Sequence, residues 1–416
     1  MLKTGVRMQD VFIIDAARSA TGKFFGSLSD MPAPHIGANV VNGLLTRTRI
    51  DTQTIDEVIV GNVVSAGLGQ NPAKQVIVYS GLPNDIPAFN VNKICASGMK
   101  AVALGAQSIM CENADVVVAG GIENMSLAPH VVSGVRKFRK LGNANLKEFV
   151  DYLNGAGEPL DGTVLKDEMV NAGLWDCYAN LHMGQLVEKI VQKDRITREE
   201  QDRFALDSHR KAAAAEAAGK FKNEIIPIPL KSGASFAQDE GIRKDSTLEK
   251  LSSLKPAFDQ GGTVTAGNAS QISDGASFMI LMSGRRVKEL GLKPIAKVEA
   301  FAASGTDPSW YGLAPTTAMK KALDRAGHKL GDMDLIEINE AFCAQTLGVV
   351  KEMGIDQAKL NVNGGATALG HPIGASGARI LTTLVWALLD RKKDLGIASL
   401  CHGGGGAAAM VVRRVG

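Results

Sequence analysis

The chain has 416 residues, 45% of them hydrophobic and 21% charged, which suits a soluble globular protein with room for two or three core-forming units. Its formal net charge of +3, from 46 basic and 43 acidic side chains, is too near balance to suggest a nucleic-acid or membrane partner. Aromatics are scarce at 5% while glycine reaches 46 residues, a composition that favours an α/β protein with tight strand–helix packing. The cysteines, Cys95, Cys111, Cys177, Cys343 and Cys401, include no C-x-x-C pair, which argues against a zinc site or disulfide framework and fits a reducing, cytoplasmic setting. The first apolar run, residues 11–14, is shorter than a secretory h-region, and no apolar stretch is read as reaching the ~18 residues of a bilayer span.

In chain order, residues 10–15 (DVFIID) predict a buried strand, 34–46 a helix with Ile36, Val40, Val41, Leu44 and Leu45 on one side, 56–64 (DEVIVGNVV) a second strand, and 71–80 a second helix. Residues 89–94 lead into Cys95. A helix then starts with Ser97 as its expected N-cap and carries Met99, Val102, Ala103, Ala106, Ile109 and Met110 at helical spacing. Almost no charge breaks its surface, so it should be buried on most sides. Residues 115–121 (DVVVAGG) read as another buried strand. From Glu123 to about Gln271 the strand–helix alternation gives way to polar loops and charged helices such as 197–220, and this stretch reads as an insertion covering the core unit.

From Pro294 the alternation returns and echoes the beginning. Pro34 and Pro315 each open a helix, Asp56 and Asp334 each open a strand, Ala96-Ser97-Gly98 is matched by Ala375-Ser376-Gly377, and DVVVAGG by LGIASLCHGGGG. Most offsets are about 280 residues, which predicts a duplicated β/α unit of roughly 100–120 residues. Extra residues in the second copy hold His371.

The stretch 361–379, NVNGGATALGHPIGASGAR, is rich in glycine and lacks acids, so it is expected to be a loop approached closely by something else. Equivalent loops of two pseudo-symmetric halves can face one another, which would bring Cys95, His371 and Cys401 together. Cys95 stands before a helix N-terminus, where the dipole and free N–H groups favour a thiolate nucleophile. Cys401 precedes Gly403 to Gly406, whose backbone N–H groups a ligand could reach as in an oxyanion hole. Cys111 and Cys177 are expected to be small buried apolar residues.

At these residues the chain resembles the thiolases, and among them the acetyl-CoA C-acetyltransferase (acetoacetyl-CoA thiolase) branch. VNKICASGMKAV at 91–102 is similar to the family's nucleophile segment, NEAF at 339–342 to its second block, GHPIGASGAR at 370–379 to its histidine block, and CHGGGGAAAM at 401–410 to its C-terminal cysteine block. The resemblance covers essentially the whole chain, with all four blocks in order. It implies a thiolase-like α/β fold, with two duplicated β/α halves in a layered αβαβα arrangement and an inserted loop domain. The expected boundaries are 1–124 plus 273–293 for the N-terminal half, 125–272 for the loop domain over the coenzyme A site, and 294–416 for the C-terminal half. It also implies reversible Claisen condensation of two acetyl-CoA, or thiolysis of short-chain 3-oxoacyl-CoA, by ping-pong transfer through a cysteine thioester.

In that scheme Cys95 is the nucleophile, His371 its base, and Cys401 the base for the second acetyl-CoA. A water held by Asn339 joins His371 at the enolate oxygen, and the backbone N–H groups of Cys95 and Gly403 bind the acyl intermediate. His182, Met183, Ser270 and, more loosely, Arg243 match coenzyme A contacts. No metal or further cofactor is implied, and the coenzyme A thioester is substrate. Acyl-CoA and CoA are the expected partners of a homo-oligomer, a dimer or a dimer of dimers with residues 123–146 as the tetramer-forming segment, serving fatty-acid metabolism.

Three positions depart from the commonest pattern. QLVEKI follows His182-Met183-Gly184, His402 follows Cys401 where a shift of the neighbouring thiol is expected, and Cys343 extends the NEAF block. Tyr311-Gly312 falls where relatives differ in acyl preference, and His209 lies near the tyrosine of potassium-activated relatives, so potassium dependence is not implied. Two other readings are a decarboxylating ketoacyl synthase, against which Cys401 argues, and a non-catalytic scaffold, in which one of Cys95, His371 and Cys401 should be replaced.

Overall fold

A computed structural model of the chain describes residues 9–133 and 164–415. The first half comprises β1 (Val11–Ser19), α1 (Ala33–Thr48), β2 (Glu57–Gly61), α2 (Pro72–Ser80), β3 (Ala88–Val91), α3 (Ser97–Met110) and β4 (Val116–Asn124). The inserted stretch contributes α4 (Met183–Asp194) and α5 (Arg198–Ala217). The remainder holds β5 (Ser273–Ser283), β6 (Ala296–Gly305), α6 (Ala314–Ala326), β7 (Leu335–Ile338), α7 (Cys343–Met353), α8 (Ile373–Arg391), β8 (Leu395–His402) and β9 (Gly406–Arg414). Of residues 123–146, the part 134–146 lies outside the described residues.

The strands run in the order β7-β8-β9-β6-β1-β5-β4-β2-β3. The duplication is visible in the pairing. β2 is parallel to β4 as β7 is to β8, β4 is antiparallel to β5 as β8 is to β9, and β5 to β1 as β9 to β6. The counterpart of the β2–β3 pairing is reduced to one parallel bridge, Ile336 to Leu360. Among the described strands, the two halves of the sheet pair where Val11–Ile13 meets Ala296–Val298. Matching side chains do matching work. Asp56 accepts the N–H groups of Asp115 (2.7 Å) and Val116 (2.9 Å), and Asp334 those of Asp394 (3.0 Å) and Leu395 (3.1 Å). Each carboxylate thus ties the start of one parallel strand to the start of the next.

α3 and α8 form the middle layer between the two sheet halves, α1 and α2 cover the outer face of the first half, and α6 covers that of the second. The core between the sheets takes in Met99, Val102, Ala106 and Ile109 of α3 with Ile380, Leu381, Leu384 and Leu388 of α8. α8 has the length and mean hydropathy of a membrane span, contrary to the sequence reading, but it is mostly buried inside the protein. A helix packed on all sides is apolar all round for the same reason that a lipid-exposed one is.

Two further expectations need correction. The stretch 361–379 is not one loop, because Ala366–Leu369 form a short helix and from Ile373 onward the chain forms the first turns of α8. The small residues that lower its helix propensity are needed for close packing, and burial offsets the intrinsic cost. Ser97 is not the N-cap of α3 but its first residue; Ala96 is the cap.

Candidate active site

The two loops meet because α3 and α8 approach one another at glycines. A Cβ on Gly98 would lie 2.9 Å from the N of Ala378 and the O of Gly374, and one on Gly377 would lie 2.4 Å from the N of Met99. No larger residue fits at this crossing. The turns entering both helices therefore lie side by side, one ending in Cys95 and the other beginning at His371. Ile94, just before the cysteine, has φ of +48°, a costly conformation for a β-branched residue and one that tends to mark functional sites. The Ser97 hydroxyl fixes it, donating to the Ile94 carbonyl (2.6 Å) and accepting the Lys93 N–H (2.8 Å).

Cys95, His371, Cys401 and Gly403 line one cavity of about 450 Å³. It also takes in His182, Met183, Arg243 and Ser270, so these four expected contacts share the space with the reactive groups. Asn339 is not on its wall. Its amide nitrogen lies 3.5 Å from Nδ1 and 3.4 Å from Nε2 of His371, and its Oδ1 is buried with no hydrogen-bond partner among the described residues.

Ser376 decides the state of the imidazole. Its hydroxyl donates to the Pro372 carbonyl (2.9 Å) and lies 2.5 Å from Nδ1 of His371. A hydroxyl has one proton, so toward Nδ1 it accepts. Nδ1 therefore carries the hydrogen, and Nε2 keeps the lone pair of a base. Ser376 is the counterpart of Ser97, and the sequence paired the two only through the repeated Ala-Ser-Gly.

Burial pushes the Cys95 thiol up to about 12, against the opposing effect of hydrogen bonds from the backbone N–H groups of Gly403 and of Cys95 itself. The thiolate expected from the helix N-terminus is thus not the resting form, because desolvation outweighs the dipole. Burial, and secondarily the Arg379 charge, lowers His371 to about 3. At rest the cavity wall thus carries a neutral thiol and a neutral imidazole. Burial also holds the Cys401 thiol well above its ordinary value, with the neighbouring Cys95 adding to the effect.

His402 does not act on Cys401 as expected. It lies close to the Gly403 carbonyl oxygen (Nδ1 to O, 2.7 Å), its Nε2 is buried without a partner among the described residues, and burial lowers it to about 4. Cys111 and Cys177 are exposed, contrary to expectation, whereas Cys343 is buried.

Part of the cavity wall is aromatic. His182 stacks on Phe258 (4.6 Å between ring centroids), and Phe258 meets Phe342 edge-on (5.8 Å). His182 also caps α4, accepting the Gly184 N–H (3.0 Å), while Gln185 accepts the His182 N–H (3.0 Å). The departure QLVEKI thus supplies half of a capping box. Sequence reasoning missed Phe258, Ile373 and Leu174 as lining residues. Tyr311, noted only for acyl preference, is a buried wall residue whose hydroxyl donates to the Met183 carbonyl (3.0 Å). Of the three missed residues, only Ile373, inside the histidine block, carried a sequence signal.

Residues 11–285 match the family model "Thiolase, N-terminal domain", and residues 292–414 match "Thiolase, C-terminal domain". The chain is 48% identical over 411 residues to an acetyl-CoA acetyltransferase of Pseudomonas aeruginosa, covering 98% of this chain and 100% of that protein. It is 47% identical over 411 residues to one of Escherichia coli, with the same coverage. The crystal structure of the Bacillus anthracis acetyl-CoA acetyltransferase superposes with a TM-score of 0.90 at 37% identity, covering 98% of this chain and 99% of that one.

Proposed function

This chain belongs to the thiolase family and is an acyltransferase, and on that premise we propose that it moves acetyl groups between coenzyme A thioesters, joining two acetyl-CoA into acetoacetyl-CoA and CoA and running the reverse thiolysis of short-chain 3-oxoacyl-CoA. The observation that carries this reading is the shared cavity: two thiols and an imidazole on its wall, with the Gly403 N–H directed at one of the thiols.

Nε2 of His371 takes the Cys95 proton as the sulfur attacks the thioester carbonyl. The oxyanion is bound by the N–H groups of Cys95 and Gly403. When it collapses, the carbon–sulfur bond to coenzyme A breaks. Cys401 must enter the next half-reaction as a thiolate to act as base, yet burial keeps it protonated at rest. Its proton therefore goes to the departing coenzyme A thiolate. After this half-reaction Cys95 carries the acetyl group, His371 is an imidazolium and Cys401 a thiolate. The Cys401 thiolate then takes a methyl proton from the second acetyl-CoA, and the carbanion attacks the acetyl-cysteine. The Cys95 sulfur leaves with the His371 proton, and all three groups return to their starting state. His371 and a water on Asn339 bind the enolate oxygen. His182, Met183, Ser270 and Arg243 contact the coenzyme A moiety. The same reading makes the protein a cytoplasmic dimer or dimer of dimers, which light scattering on the purified protein tests.

Purified protein should consume acetoacetyl-CoA only when free CoA is present, followed as loss of the magnesium–enolate absorbance. Cleavage that is independent of CoA, or full activity in Cys95→Ser, overturns the proposal.

A further inference from the structure

Glu123, near the end of β4, is fully buried beside the site and takes no part in the proton transfers above. Its carboxylate accepts four N–H hydrogen bonds. Oε1 receives Asn62 Nδ2 (2.8 Å) and the Val64 N–H (3.1 Å); Oε2 receives the Val63 N–H (3.1 Å) and the Gly374 N–H (2.9 Å). Three of these donors come from the segment after β2 in the first half. The fourth comes from the first turn of α8 in the second half, three residues beyond His371.

The two segments that Glu123 holds are those against which the nucleophile packs. Val63, Val64 and Ile373 form one apolar cluster, and Ile94 and Cys95 pack on it. The seam allows no slack. A Cβ on Gly121 would lie 2.1 Å from the Gly374 carbonyl oxygen, and one on Gly374 would lie 2.8 Å from Glu123 Oε2 and 2.6 Å from the Ile122 carbonyl oxygen. A carboxylate can saturate four donors, whereas an amide offers one oxygen and turns two of its own hydrogens toward backbone N–H groups. Burial raises Glu123 to about 7, against three backbone hydrogen bonds that favour its charged form. We propose that Glu123 is a positioning residue, which fixes the histidine loop of one half against the cysteine pocket of the other and so sets the distance between His371 and Cys95.

The kinetic arm of the test rests on the acetyl-transfer reading. Glu123→Asp keeps the charge and shortens the reach by one methylene, and Asn62→Ala removes one donor and leaves the carboxylate in place. Active sites are counted as iodoacetamide-labelled Cys95, and thiolysis of acetoacetyl-CoA is measured per counted site. Expected is a fall in kcat per site of about tenfold or more for Glu123→Asp and of several-fold for Asn62→Ala, as a small misplacement of reacting groups produces, with KM within about twofold. Unchanged kcat per site, with only the number of sites reduced, means a merely structural role and overturns the proposal, as does a raised KM with kcat intact. If Glu123→Asp does not fold, Asn62→Ala decides by the same criterion. Labelling of Cys95 needs no turnover. Should the unaltered protein fail to cleave acetoacetyl-CoA, the acetyl-transfer reading falls, and a labelling rate in both variants equal to that of the unaltered protein overturns the positioning role separately.

Discussion

Replacing Ser376 by alanine removes one oxygen from a fully buried helical position, so the backbone has little reason to move. The hydroxyl is the acceptor for Nδ1–H of His371 at 2.5 Å. Without it, a buried N–H is left with no acceptor, at a cost of about 1–3 kcal/mol. The imidazole can avoid that cost by moving its proton to Nε2, which removes the base from the pocket. Either outcome raises the barrier of the step in which Cys95 loses its proton. At about 1.4 kcal/mol per tenfold, the expected fall in kcat is roughly 5- to 150-fold. The assay is CoA-dependent thiolysis of acetoacetyl-CoA over a full substrate range, with a thermal melt alongside. KM should hold, because Ser376 does not line the cavity. A kcat within twofold of the unaltered protein would refute the tautomer assignment, and so would a loss that appears only in KM.

Iodoacetamide inactivation should keep accelerating up to at least pH 10, since burial holds the Cys95 thiol up to about 12 and the protonated form dominates below that; a plateau near neutrality would contradict this. The Arg18 guanidinium is fully buried and bonded to Glu224 (2.7 Å) and to both oxygens of Asp239 (2.7 and 2.9 Å). Asp239→Ala should therefore cost about 3–5 kcal/mol in urea unfolding by stranding a buried charge, and a cost below 1 kcal/mol would show that charge to be otherwise compensated. Gly377→Ala should destabilise by about 1–3 kcal/mol through overpacking at the helix crossing, read as a lowered melting temperature; an unchanged melt would mean the crossing has room. Tyr311→Ala should raise kcat/KM for longer 3-oxoacyl-CoA thioesters relative to acetoacetyl-CoA by opening a buried cavity wall, and an unchanged ratio would place chain-length selection elsewhere.

The parts of the fold that depend on short-range pattern were readable in the sequence. DVFIID, DEVIVGN, DVVVAGG and LGIASLCH each carry apolar runs that leave no other buried use, and all four appear as strands. The echo of Asp56 in Asp334 led to the duplication because the two carboxylates perform the same tie between parallel strands. The first turns of α8 were misread because glycine weakens local helix preference, and only the neighbouring α3 and sheets explain why small residues are required there.

At the site, Cys95, His371 and Cys401 were legible as candidates because their chemistry is rare in the sequence, and one cavity takes in all three. Their protonation was not, because it follows from burial, which pushed Cys95 and His371 apart where the helix N-terminus alone suggested a thiolate. Phe258 and Glu123 escaped notice for a related reason. An aromatic in a polar insertion and an acid after a strand acquire meaning only from the residues that the fold sets against them.

The most direct test of the central claim is to mix the protein with acetyl-CoA, quench in acid and map the acetyl group by peptide mass spectrometry. One acetyl group should be found on the peptide carrying Cys95, and it should disappear when free CoA is added before the quench. An acetyl group on Cys401 instead, or none on any cysteine of a protein that is turning over, would contradict the account.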